Sequence, residues 1–251
     1  MDDRELERYS RQMILPDWGA EGQLALRGAS ALIVGAGGLG SPAAMYLAAA
    51  GTGKLVIVDD DAVELVNLQR QILHGESGLG RPKTESGADR LRDLNPLADT
   101  RTVQERLTAE NAESLVDEAD IVLDGSDNFD TRYAVNAACV SRHKPLVTGS
   151  VIRWEGQVTV LRPDKGGPCY ACLFPPDAES REEACAEAGI VAPLPGIIGS
   201  IQALEATKVI AGLGESLEGR LLTLDARTMR WTERGYRRDP GCPVCGFSES
   251  N

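Results

Sequence analysis

Ala31-Leu32-Ile33-Val34-Gly35-Ala36-Gly37-Gly38-Leu39-Gly40-Ser41-Pro42 is the stretch that decides the fold. Its first four residues form a short, unbroken apolar run, the kind of strand buried on both faces of a parallel sheet. Gly35, Gly37 and Gly40 follow with GxGxxG spacing, which permits a tight turn and close backbone approach to phosphate. Ser41-Pro42 then open an alanine-rich helix to Ala50, where Gly51 stops it. A second buried strand, Leu55-Val56-Ile57-Val58, runs into Asp59-Asp60-Asp61. Asp59 lies 19 residues beyond Gly40, where a carboxylate accepts hydrogen bonds from a ribose. Strand, glycine turn, helix, strand and acid together predict the first half of a Rossmann-like, doubly wound α/β sheet.

The remaining pattern extends that sheet. Residues 4–27 predict one or two short helices, broken at Pro16 and Gly19. Helices are expected over 83–94, 111–118 and 129–142, and strands over 100–105, 121–124 and 146–148. Beyond residue 150 the pattern becomes antiparallel. A hairpin is expected over 151–161 with its turn at Glu155-Gly156, then an amphipathic helix over 199–211 closed by Gly212, then paired strands over 221–225 and 229–236. The expected fold is one mixed sheet, parallel in the N-terminal part and antiparallel in the C-terminal part, with helices on both faces. No repeat or linker divides it. Residues 1–251 read as one unit: an arm at 1–27, a nucleotide-binding half at 28–150 and a second half at 151–247.

Composition narrows the class. The chain has 251 residues, 42% of them hydrophobic, enough for a core without staples. The net charge of −12 disfavours nucleic acid as a main partner. No leader-like segment stands at the N-terminus, and the longest apolar stretch, 189–203, is interrupted by Pro193 and Pro195. A cytoplasmic location is expected. The two histidines, His74 and His143, leave little for a histidine-based metal site, and His143 reads as a helix-end or surface residue.

The glycine loop and Asp59 alone would suit NAD. The cations nearby are more than a dinucleotide needs. Asn67-Leu68-Gln69-Arg70-Gln71 and Gly80-Arg81-Pro82-Lys83 follow the acid cluster, and Arg8 and Arg11 lie in the arm. A triphosphate under attack needs several positive groups to offset charge moving between attacked and leaving groups. Asp124-Gly125-Ser126-Asp127-Asn128 falls just past a strand end, where ligands of doubly wound sheets bind. There a carboxylate can hold Mg²⁺, while Asp127 or Asn128 can cap the next helix; both hold if Asn128 caps and Asp127 faces the metal.

Of the six cysteines, Cys169 and Cys172 form one CxxC pair and Cys242 and Cys245 another, with 69 residues between. Two such knuckles can complete a closed, structural zinc site. A thioredoxin-like redox pair is the competing reading. Cys139 reads as core. Cys185 lies among acids that would blunt a thiolate, with Arg181 acting the other way.

Taken together, Arg8-Tyr9-Ser10-Arg11-Gln12, the Gly35–Gly40 loop, Asn67-Leu68-Gln69-Arg70-Gln71, Arg81-Pro82-Lys83 and Asp124-Gly125-Ser126-Asp127-Asn128 resemble the ThiF/MoeB family, bacterial relatives of the ubiquitin-activating enzymes. The resemblance runs from about Arg8 to Gly246. It implies an adenylyltransferase that uses ATP and Mg²⁺ on the C-terminal glycine of a small ubiquitin-like sulfur carrier ending in Gly-Gly. It further implies that Gly35, Gly37, Gly38, Gly40, Asp59 and Asn128 line the ATP site. Asn67, Arg70 and Lys83 would hold phosphates, and Asp127 the Mg²⁺. Arg11 would serve the neighbouring subunit's site in a homodimer. Zn²⁺ at Cys169, Cys172, Cys242 and Cys245 is implied too. Cys185 is either a covalent acceptor for the carrier, as in some members, or a bystander. With no sulfurtransferase domain expected, sulfur would come from a separate donor. An NAD(P)-dependent oxidoreductase and a non-catalytic nucleotide-binding scaffold are the alternatives. The first leaves the cations unexplained, and the second leaves a full set of polar motifs without use.

Overall fold

The computed structural model describes residues 1–176 and 189–246. Cys185 lies outside the described residues. Eight strands form one sheet in the order β3-β2-β1-β4-β5-β6-β7-β8. They are β1 (Ser30–Val34), β2 (Lys54–Val58), β3 (Asp99–Val103), β4 (Ile121–Asp124), β5 (Leu146–Ile152), β6 (Glu155–Leu161), β7 (Arg220–Asp225) and β8 (Arg230–Gly235). The first five are mutually parallel, and β6, β7 and β8 add on antiparallel. The helices are α1 (Asp3–Met13), α2 (Gly19–Gly28), α3 (Gly40–Ala50), α4 (Lys83–Leu94), α5 (Ala112–Asp117), α6 (Phe129–Ser141), α7 (Tyr170–Leu173) and α8 (Pro193–Ala211).

The unbroken apolar strands serve two cores. Ala31, Ile33, Leu55, Ile57, Ile121 and Leu123 face α3 and α8. Leu32, Val34, Val56, Val58 and Val122 face α5 and α6 on the other side. Successive side chains of a strand point to opposite faces, so a strand covered on both needs apolar residues throughout.

Four expectations need correction. The β5–β6 turn is Arg153-Trp154, and Glu155-Gly156 already belong to β6, paired with Ile152 and Val151. Gly156 is in the strand because α8 presses on it: a Cβ there would lie 2.6 Å from Ile198 Cγ1. The helix expected to start at Gly199 starts at Pro193, because proline in a first turn gives up an N–H that has no intrahelical partner. Nor is that helix amphipathic: Leu194, Ile198 and Ala203 are buried, while Leu204 on its outer side is exposed. The strand expected to reach Glu105 ends at Val103, which frees Glu105 and Arg106 to turn inward at the strand ends.

Gly40 is required for close approach. A Cβ there would sit 1.8 Å from the Gly35 carbonyl oxygen, and neither backbone segment can yield. Gly40→Ala is therefore expected to destabilise the fold by about 3 kcal/mol or more, read as a lowered urea midpoint at unchanged slope.

Candidate functional site

Strand order reverses between β1 and β4. The crevice beyond their carboxyl ends is where open α/β sheets bind ligands. A cavity of about 670 Å³ occupies it. Gly35, Gly37 and Gly38 from the β1–α3 loop, Asp59 after β2, Arg70, Lys83, and Asp127 and Asn128 after β4 all line it.

The floor is an anion cradle. Helix α3 begins without a side-chain cap and with no acid in its first turn. Among the described residues, the Gly37 and Gly38 N–H groups have no protein acceptor. Uncapped amides at a helix N-terminus, carrying the positive end of the helix dipole, hold phosphate directly.

The walls carry the charge. Asp59 Oδ2 accepts from the Ala36 N–H at 2.7 Å and Oδ1 from the Asp61 N–H at 2.8 Å. Burial pushes its carboxyl above the ordinary range, opposed by the Lys83 ammonium and by these two amides. Lys83 opens α4 and is itself buried. Its Nζ lies 2.7 Å from Asp61 and 4.0 Å from Asp59. Arg70 donates to Asn67 Oδ1 at 3.0 Å, and its stem runs past Gly38. On the far wall the Asn128 side chain accepts from the Thr131 N–H at 2.9 Å and caps α6, leaving the neighbouring Asp127 exposed at the rim. The loop carrying Asp127 is pinned from below. Buried Asp124 accepts from the Ser126 N–H at 3.0 Å and from Thr148 Oγ1 at 3.1 Å, and Arg132 donates to the Ser126 carbonyl at 2.6 Å.

Two expected residues are not in the wall. Asn67 does not line the cavity; its side chain is taken by Arg70 and by Glu64. Gly40 packs against Gly35 rather than facing the cavity. Arg11, expected to serve a neighbouring subunit's site, lies on the last turn of α1 and does not line the cavity of its own chain.

Sequence reasoning passed over several residues that belong here. Asp61 was hidden in an acid cluster. Gln71 lines the cavity with a buried Oε1 that has no hydrogen-bond partner among the described residues. Arg132 and Arg106 are single arginines without a motif. His74 is buried behind the loop, its Nε2 2.8 Å from the Ala36 carbonyl and its Nδ1 3.1 Å from Ser86 Oγ. Burial lowers the His74 pKa, and Lys83 lowers it further. The unfolded chain therefore binds the proton more readily. Stability from this residue is complete above about pH 6.5 and is lost as pH falls below it, towards the lower folded value. His74→Gln is expected to flatten the stability profile below about pH 6.5, measured by urea unfolding.

The cysteines converge at the other end of the sheet. Cys169 and Cys172 Sγ lie 4.0 Å apart, Cys169 and Cys242 3.6 Å, and Cys172 and Cys245 3.4 Å. All four sulfurs fall within 4.8 Å of one another. A tetrahedron with zinc–sulfur bonds of about 2.3 Å has edges of about 3.8 Å, so the set fits a four-thiolate metal. The Asp239 N–H, 3.4 Å from Cys172 Sγ, adds a donor suited to a thiolate. Cys139 is buried in the core beside α5, and burial raises its pKa. His143 is exposed just past the end of α6.

An uncapped glycine-loop helix at the switch point, with buried Lys83 and Arg70 in the same cavity wall, marks a doubly wound α/β protein whose crevice suits an anionic ligand. The chain belongs to the ThiF family, which matches residues 9–244. It is 46% identical over 251 residues to the sulfur carrier protein ThiS adenylyltransferase of Escherichia coli, covering 100% of this chain and 99% of that one. It is 45% identical over 246 residues to the molybdopterin-synthase adenylyltransferase of the same organism, covering 98% of each. Among solved structures it resembles E. coli MccB with ATP, at a TM-score of 0.82 and 25% identity, over 95% of this chain and 73% of that one. Among the described residues, no helix is long and apolar enough to cross a membrane.

Proposed function

We propose that the chain adenylates the C-terminal glycine carboxylate of a small ubiquitin-like sulfur-carrier protein with MgATP, releasing pyrophosphate. The single observation that carries this reading is the cradle of free Gly37 and Gly38 amides facing Lys83 and Arg70 across one cavity. The full-length relatives named as adenylyltransferases support it. Residues 1–251 act as one unit, with nucleotide chemistry in 28–150 and carrier binding and metal in 151–247.

Asp59 accepts from the ribose with the lone pairs left over from its two amide bonds. The loop amides, Arg70 and Lys83 hold the triphosphate. Asn67 acts through Arg70, whose guanidinium it orients. Asp127 would hold Mg²⁺, which supplies charge neutralisation between the phosphates and the leaving group. The carrier carboxylate attacks the α-phosphorus in line: a new carboxyl-oxygen–phosphorus bond forms, the bond to the bridging oxygen breaks, and pyrophosphate leaves with the electron pair. No side chain forms a covalent bond in this step. The protein holds two anions together and screens their repulsion. Zinc, held by Cys169, Cys172, Cys242 and Cys245, would tie the tail to α7 and stay outside the chemistry. ATP–pyrophosphate exchange tests the whole reading. It should appear with MgATP only when a Gly-Gly-terminated carrier is present, and no exchange with any such carrier would overturn it.

Arg11 acts across a homodimer. Its absence from its own cavity supports this, as do the exposed apolar residues Ile14, Leu15, Tyr46 and Leu204. Arg11→Ala and Asp127→Ala chains, each inactive, should regain activity when mixed and re-equilibrated. One site in each mixed dimer is then intact, which amounts to about a quarter of all sites. No recovery would place Arg11 in its own subunit's site or outside catalysis.

A further inference from the structure

We propose that His74 is a positioning residue that aims the glycine loop at the nucleotide phosphates and couples it to the helix bearing Lys83. The inference rests on the nucleotide reading above and deepens it.

His74 lies under the loop and does not line the cavity. Its Nε2 is 2.8 Å from the Ala36 carbonyl oxygen, an acceptor only, so Nε2 carries the proton and donates. Nδ1 therefore accepts, and its partner at 3.1 Å is the Ser86 hydroxyl. Ser86 lies one turn along α4 from Lys83. One neutral imidazole thus joins the loop to the helix that holds the lysine in place.

The consequence for ligand binding follows from peptide planarity. The Ala36 carbonyl and the Gly37 N–H belong to one trans peptide and point in opposite directions. His74 draws that carbonyl inward, which turns the Gly37 N–H outward, where Gly37 lines the cavity and its amide has no protein acceptor. On the other side of the same residue, Asp59 Oδ2 takes the Ala36 N–H at 2.7 Å. Ala36 is clamped at both ends, by the proposed ribose acceptor and by His74. Without the imidazole, the buried carbonyl loses its close donor; the Ser41 hydroxyl, at 3.5 Å, is the other group near it. The peptide is then free to rotate and the amide turns away from phosphate.

The test is the affinity of the full chain for MgATP and for adenosine, by calorimetry, in the wild type, His74→Leu, His74→Gln and Ser86→Ala. His74→Leu should weaken ATP binding about tenfold or more, since a buried carbonyl loses its partner. Adenosine, which has no phosphate, should bind within about twofold of wild type, because only the phosphate cradle changes. His74→Gln should bind ATP within about threefold of wild type, because its amide can still donate to Ala36. Unchanged ATP affinity in His74→Leu would overturn the proposal, and so would parallel loss of ATP and adenosine, the mark of a purely structural histidine. If His74→Leu does not fold, Ser86→Ala decides: a severalfold loss confined to ATP supports the coupling, and wild-type affinity overturns it. A wild-type chain that binds no adenine nucleotide would instead overturn the nucleotide reading itself.

Discussion

Lys83→Met is expected to cut carrier-dependent ATP–pyrophosphate exchange by about a hundredfold to a thousandfold, the cost typical of removing one preorganised charge from a transition state. The geometry makes the loss twofold in origin. The ammonium is buried at the cavity wall, 2.7 Å from Asp61 and 4.0 Å from Asp59. In the proposed reaction its removal takes away a cation where negative charge develops, and it leaves two carboxylates facing the triphosphate. The same ammonium opposes the effect of burial on Asp59. Without it, the Asp59 pKa should rise further, so the acid limb of the pH–rate profile should move to higher pH in the variant. Lys83→Arg should not restore activity, because a planar fork does not fit a slot cut for an ammonium. Near-normal exchange in Lys83→Met would place the polyphosphate elsewhere.

Cys172→Ser is expected to release the metal and lower the melting temperature by roughly 6–12 °C, corresponding to about 3 kcal/mol in a chain of this size. Cys172 is 3.4 Å from Cys245 and 4.0 Å from Cys169, so it belongs to both knuckles' contacts. Those contacts fix the segment after β8 against α7, where Cys169 and Ala171 are buried with Cys242 and Cys245. A thiol replaced by a hydroxyl leaves three ligands, and the tail loses its tether. Elemental analysis should find one zinc per wild-type chain and none in the variant. Cys139→Ser is the control: Cys139 lies in the core beside α5 and is not one of the four clustered cysteines, so the metal should remain. One zinc per chain retained in Cys172→Ser, with an unchanged melting point, would overturn the metal site. A strong chelator should reproduce the variant's melting curve in the wild-type protein.

Both predictions rest on residues visible in the sequence, though not for the same reason. The knuckles are local: Cys169 and Cys172, and Cys242 and Cys245, are each three residues apart, and the spacing alone presents two sulfurs together. That the two knuckles meet is a tertiary fact, decided by how β8 returns beside β7 and carries the tail back towards α7. Lys83 was visible only through a motif. Nothing in the pattern of α4 says that its first residue is buried, or that Asp61 stands opposite it.

The sequence alone determined the alternation of strand and helix, the tight turn after β1, the acid after β2 and the parallel-to-antiparallel change near residue 150. These follow from short-range rules: apolar runs covered on both faces, glycines where backbone must crowd backbone, and prolines in first turns. Misreadings arose where a distant neighbour overrode a local signal, as when Ile198 required the strand glycine at Gly156 that otherwise reads as a turn. Only the tertiary structure decided which polar groups share the crevice. It set Asn67 behind Arg70, put Arg11 outside the cavity, and brought His74 under Ala36 across 38 residues of chain. The physical reason is that periodicity reports which face a residue takes within its own element. Which partners meet across the crevice depends on strand order and on how the loops after β1, β2 and β4 are closed, and a one-dimensional pattern does not carry that information.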